Sequence, residues 1–245
     1  GMSNFLIGLT IISIGTSAPE LLVSAIAAFN GSPSLALGNA LGSNITNIAL
    51  VLGATACIFP LIAPLQLVKH QLPLLLLISV VIFALAFRGI FDLLSGSLLL
   101  VALPAVLYNL SKDEPASKEN LEIHSLSLGF SIVLTLGGLT VLLGSSEVLV
   151  WGAVEIARFF KVSELVIGLT IVAIGTSLPE LAASVAAALK NKTDIAFGTV
   201  IGSNIFNSLG VIGIASIISP FAIEPEVLQR DLPWTLGLTL LLYLL

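Results

Sequence analysis

Charge is what this chain lacks. Only 9% of its 245 residues are Asp, Glu, Lys or Arg, while 57% are hydrophobic. A soluble domain carries about 25% charged residues, and the mean hydropathy here is +1.13. A soluble globular class is excluded, and an integral membrane protein remains. The formal charge of −5 says little, because the charges sit in loops and at a few special positions. Cysteine is nearly absent: the single Cys57 rules out an intrachain disulfide and, in an apolar stretch, reads as a small core residue. Runs of alternating polar and apolar residues are missing too, which excludes a membrane β-barrel.

What is present is apolar and segmented. Segments run over about 5–29, 35–59, 73–90, 93–110, 126–150, 163–189, 195–219 and 232–245, eight helix candidates at roughly 20 residues per span. Gly31-Ser32-Pro33-Ser34 and Asn191-Lys192-Thr193-Asp194 read as tight turns. The polar stretch from Ser111 to His124 divides the chain into halves, 1–110 and 126–245, joined by a linker over 111–125. That linker is too short to hold a folded soluble domain.

The halves repeat one another. Gly15-Thr16-Ser17-Ala18-Pro19-Glu20 recurs as Gly175-Thr176-Ser177-Leu178-Pro179-Glu180, and Gly42-Ser43-Asn44-Ile45-Thr46-Asn47 as Gly202-Ser203-Asn204-Ile205-Phe206-Asn207. The offset of 160 holds without a gap from Ser3 to Pro73, with about two positions in five identical. Segments 5–29 and 163–189 are the first and the sixth, an odd step of five, so equivalent helices cross the membrane in opposite directions. Inverted repeats of this kind build secondary transporters whose sites lie near the midplane. Lys69, Lys112, Lys118, Lys190 and Lys192 fall on one side, and Arg88, Arg158, Lys161 and Arg230 on the other, so the positive-inside rule sets no orientation. Gly1-Met2-Ser3 aligns with Lys161-Val162-Ser163, which leads us to expect a longer protein with a further helix at the start and more of one at the end.

The repeated motifs are oxygen-rich. Thr16, Ser17 and Glu20 share a helical face, as do Thr176, Ser177 and Glu180. Pro19 and Pro179 should break the helix and free carbonyls near Ser13, Gly15 and Ala173, tolerated in a membrane only inside protein or beside water. Ser43 with Asn47 and Ser203 with Asn207 add further oxygens at four-residue spacing. Hydroxyls, carbonyls, amides and carboxylates are the ligands of hard cations, and a charge of −2 from two glutamates matches one calcium ion. Gly38, Gly42, Gly198 and Gly202 form small-xxx-small pairs for close helix approach.

A carboxylate in an apolar helix costs roughly 3 kcal/mol on insertion scales, and no Lys or Arg lies centrally in any segment to pair with Glu20 or Glu180. Glu147 also falls in a segment, but near its end beside Trp151, an interfacial position. An intramembrane hydrolase using Ser17 or Ser43 would need a nearby base, and His70 and His124 lie in predicted loops. A passive channel is a third reading, separable by currents that persist without a counter-ion.

These residues closely resemble the two alpha-repeats of the sodium/calcium exchangers, in the calcium/cation antiporter superfamily. The resemblance covers nearly the whole chain. It implies an all-α integral membrane protein of ten transmembrane helices, with helices two to eight and part of nine here. It further implies sodium and calcium as transported ions, typically three for one, by alternating access around four clustered sites. No cofactor, enzymatic activity or nucleic-acid partner is implied. The implied ligands are Glu20, Thr16, Ser17, Ser43, Asn47 and the Ser13 carbonyl, with Glu180, Thr176, Ser177, Ser203, Asn207 and the Ala173 carbonyl. Asn207 stands where some prokaryotic members carry Asp, one ionisable group fewer, and Ser13 where Ala is common. The short linker lacks the large regulatory calcium-binding domains of animal exchangers, so the resemblance is to a minimal prokaryotic transporter in an inner membrane. A calcium/proton or potassium-dependent exchanger of the same superfamily is the alternative.

Overall fold

The computed structural model describes residues 4–63, 65, 67–112, 128–162 and 164–244. Its helices are α1 (Ile7–Thr16), α2 (Ala18–Phe29), α3 (Pro33–Ile58), α4 (Leu67–Ala86), α5 (Leu93–Lys112), α6 (Leu128–Phe159), α7 (Leu169–Thr176), α8 (Leu178–Leu189), α9 (Thr193–Ile218) and α10 (Leu232–Leu244). All eight predicted segments are thus helical. Among the described residues, α3, α4, α9 and most of α5 are each long and apolar enough to cross a membrane, and the bent pairs α1–α2 and α7–α8 raise that number to 6. Two two-residue strands, β1 (Ile90–Phe91) and β2 (Phe221–Ala222), form a short pair beside the helices.

Several expectations shift. The helix predicted over 126–150 continues to Phe159, so Glu147 lies well before its end rather than at it; its side chain is outside the described residues. His70 falls in the first turn of α4 rather than in a loop. Cys57 is exposed, in the last turn of α3, and is not a core residue. Most of the 111–125 linker, with His124, lies outside the described residues.

The inversion is visible at one end of the bundle. β1 pairs antiparallel with β2, Ile223 N–H donates to the Gly89 carbonyl at 2.9 Å, and the Ser34 hydroxyl donates to Glu224 at 2.6 Å. The loops after α2, α4 and α9 therefore share this end, the β end. Since α3 starts at the β end and its counterpart α9 finishes there, the two run antiparallel. Asp92 caps α5 here: the Ser95 N–H at 2.9 Å, the Ser95 hydroxyl at 2.7 Å and Arg88 at 2.9 Å hold its carboxyl well below the usual carboxylate range.

Burial is inside-out relative to a soluble protein. Ile11, Leu22, Phe29, Leu77 and Phe87 are exposed, as lipid-facing side chains are, while Glu20, Glu180, Ser43, Ser203, Asn47 and Asn207 are buried. Small residues bring the repeats together reciprocally. A Cβ on Gly42 would lie 2.7 Å from the Leu169 carbonyl of α7, and one on Gly202 would strike the Leu9 carbonyl and Ser13 of α1. Gly202→Ala should therefore destabilise the protein by about 1–3 kcal/mol, the usual cost of overpacking. A lowered melting midpoint in detergent checks this. Gly53→Ala is the control, since a Cβ there meets nothing within 4 Å.

Candidate cation site

Each repeat breaks at its serine. Ser17 has φ −83° and ψ 6°, Ser177 φ −84° and ψ 1°, outside the helical well. The chain bends by 43° between α1 and α2 and by 42° between α7 and α8. Proline dictates the place: lacking an N–H, Pro19 and Pro179 are accommodated in the first turn of a new helix and not in the interior of an old one. The restart puts Glu20 and Glu180 in the first turns of α2 and α8, where unpaired N–H groups and the helix dipole favour a carboxylate. The carbonyls expected to be freed are only partly so. Ser13 and Ala173 still accept from the N–H groups of Ser17 and Ser177 at 2.9 and 3.2 Å, and the Thr16 and Thr176 hydroxyls approach the same carbonyls at 3.5 and 3.4 Å.

The structure brings the predicted residues of both repeats together. The Ser17 hydroxyl reaches across to Glu180 Oε1 at 3.0 Å, and Ser203 donates to the same oxygen at 3.1 Å. The Ser43 hydroxyl lies 3.4 Å from that of Thr176 and 3.5 Å from the Ala173 carbonyl. Thr16 lies 3.5 Å from the Ser13 carbonyl. Ser13 turns its own hydroxyl back onto the Leu9 carbonyl, so what it offers the site is its backbone. Asn47 donates to Asn204 Oδ1 at 3.0 Å.

Most of the buried polar atoms left without a partner belong to predicted ligands. Both carboxylate oxygens of Glu20, Oε2 of Glu180, Oδ1 of Asn47, the Ser177 hydroxyl and the whole Asn207 amide are buried without a protein hydrogen-bond partner. Native proteins leave few such groups, and each orphan costs about 1–3 kcal/mol, more when charged. These atoms belong to predicted ligands of both repeats, are nearly all oxygens, and no Lys or Arg is among the buried side chains of the described residues. No cluster of three or more His, Cys, Asp or Glu occurs among the described residues. A cation held here would therefore be met by two carboxylates and neutral oxygens. A cavity of about 540 Å³ runs from Asn30, Ser32, Glu155 and Arg158 at the β end down to Pro19 and Thr176 at the breaks. It reaches Thr176, one of the predicted ligands, from that face.

Sequence reasoning missed the supporting residues. Asn44 and Asn204 lie inside the repeated clusters, yet spacing alone assigns them no role; Asn44 donates to Ser208 at 2.9 Å, and Asn204 receives Asn47. Asn39 and Ser24 give no motif signal. Also unforeseen are wide π-type turns at equivalent places, Asn47–Leu52 and Phe206–Val211. Such turns often mark functional sites, and each contains one of the two candidate asparagines.

Known proteins resemble this chain over nearly its whole length. The profile of the family described as sodium/calcium exchanger protein matches residues 1–112 and 130–245. A putative antiporter, CaxA, of Alkalimonas amylolytica is 43% identical over 100% of this chain and 79% of its own length. The inner membrane protein YrbG of Escherichia coli is 37% identical over 94% of this chain and 74% of its own. Among solved structures, the sodium-calcium exchanger NCX_Mj superposes with a TM-score of 0.82 at 39% identity, covering 99% of this chain and 79% of that one.

Proposed function

Because the chain belongs to the sodium/calcium exchanger family, a family of membrane transporters, we propose that it is a secondary antiporter exchanging sodium for calcium by alternating access. One observation carries this reading: two buried carboxylates with no basic partner at the breaks of inverted repeats, with further predicted ligands that keep unpartnered oxygens. Glu20 and Glu180 neutralise a divalent cation between them. Thr16, Thr176, Ser17, Ser177, Ser43, Ser203, Asn47, Asn207 and the carbonyls of Ser13 and Ala173 complete the oxygen shells of calcium or of several sodium ions in its place. Because the same oxygens serve both ions, they compete, and that competition couples the fluxes. The cavity from Arg158 to Thr176 supplies access from the β-end face. The protein resides in a prokaryotic inner membrane, in keeping with the name of its Escherichia coli relative.

Calcium uptake into proteoliposomes loaded with sodium, potassium or choline tests the proposal and separates its variants. We expect uptake only with an outward sodium gradient, and inhibition by external sodium. Uptake driven equally well by a proton gradient, or dependent on potassium, would instead assign the chain to the other ion couplings of the superfamily. Persistent calcium current without any counter-ion would make it a channel.

A further inference from the structure

Asn39 of α3 is buried where the repeats touch. Its amide donates to the Glu20 carbonyl at 3.2 Å and to the Ser24 hydroxyl at 2.9 Å, both on α2. Its Oδ1 lies 3.2 Å from the hydroxyl of Thr176, across the repeat interface, and 3.5 Å from that of Ser43. One side chain thus joins the first break to a candidate ligand of each repeat. The equivalent position in the second repeat holds Thr199. Its hydroxyl is spent on the Ile195 carbonyl at 2.8 Å, and it has no amide to offer. Ser184, the counterpart of Ser24, is consequently buried with no hydrogen-bond partner.

We propose that Asn39 is a positioning residue, a brace between the Glu20 break and Thr176 that favours the state open to the β end. The cavity from that end stops at Pro19 and Thr176, beside the groups Asn39 ties together. In inverted repeats, closing one face and opening the other exchanges the roles of the two halves. The mirrored brace would run from position 199 to the Glu180 carbonyl, Ser184 and Thr16, and Thr199 cannot supply it. The two states are therefore unequal by construction. The consequence for transport rests on the exchanger reading; the brace itself does not.

The test uses the full chain in liposomes, with Val23→Cys, in the wall of the cavity, as the reporter in a Cys57→Ala background. A membrane-impermeant thiol reagent is applied from the β-end face. Asn39→Thr should slow labelling about tenfold, which corresponds to about 1.4 kcal/mol. Thr199→Asn alone should also slow it, by giving Ser184 its partner, and the double variant should be slowest. In exchange assays, Asn39→Thr should raise the calcium KM at the β-end face about tenfold without raising it at the other. A merely damaged fold would label faster, the opposite sign. Unchanged or faster labelling in Asn39→Thr, or equal KM changes at both faces, overturns the proposal. Absence of sodium-dependent uptake in the parent protein would remove the exchanger reading, and the order of labelling rates would still decide whether the brace operates.

Discussion

Glu20→Gln or Glu180→Gln is expected to cut sodium-dependent calcium uptake at least about a hundredfold and to leave the protein no less stable. The two effects have one cause. In a site with few other charges, two carboxylates match the two charges of calcium, and removing one leaves the bound ion a full charge short. Breaking a buried charge pair in this way costs about 3–5 kcal/mol, or roughly two to four decades in affinity. Without the ion the sign reverses. Glu20 is fully buried and no Lys or Arg is among the buried side chains of the described residues, so its charge opposes folding, and a neutral amide of the same shape relieves it. At Glu180 the two serine hydroxyls on Oε1 find an equivalent acceptor in the glutamine carbonyl. Uptake of labelled calcium and melting midpoints in detergent check both halves. Near-normal exchange in either variant would sink the assignment, and a collapse of stability would make the residue structural.

The features legible in the sequence are those that depend on local chemistry. Proline and the following glutamate mark both breaks, because a missing N–H acts within one helical turn, and the near-equal bends of 43° and 42° follow from nearly identical local sequences. The offset of 160 reveals the inversion by simple parity of spans. The parts that stay hidden depend on contacts between distant segments. Asn39 looks like an isolated amide in a helix until folding places it against Glu20 and Thr176. Ser13 has a hydroxyl as well as a carbonyl to offer, yet the hydroxyl is taken by Leu9 one turn earlier. Cys57 looks buried because its neighbours are apolar, but in a membrane protein the outer surface is apolar as well, so hydropathy alone cannot sort core from lipid face. Orientation is illegible for a different reason: the charges at the two ends are too evenly divided.

The approximate two-fold symmetry is imperfect where it matters for mechanism. Glu180 receives the hydroxyls of Ser17 and Ser203, whereas the mirrored Ser177 has no partner and Ser43 turns to Asn39 and the Ala173 carbonyl, and Asn39 has no equivalent at Thr199. A perfectly symmetric site would make the two faces equivalent. On the brace proposal these departures favour one face, which predicts different apparent affinities on the two sides of the membrane.

Calcium uptake into sodium-loaded vesicles should speed up under an inside-positive potential and slow under an inside-negative one. If three sodium ions leave for each calcium that enters, every cycle carries one net positive charge outward. Each charge moved through 100 mV is worth about 2.3 kcal/mol, so the calcium gradient at equilibrium should shift about fortyfold over that span. Asn207 sharpens the test. With an amide there, Glu20 and Glu180 alone balance the bound cations, and three sodium ions leave the loaded site one charge positive where calcium leaves it neutral. The potential then acts chiefly on the sodium-loaded step. Valinomycin with opposing potassium gradients sets the potential in both senses on one vesicle preparation. Uptake that ignores the potential would mean an electroneutral two-for-one exchange, in which both ions leave the two-glutamate site neutral.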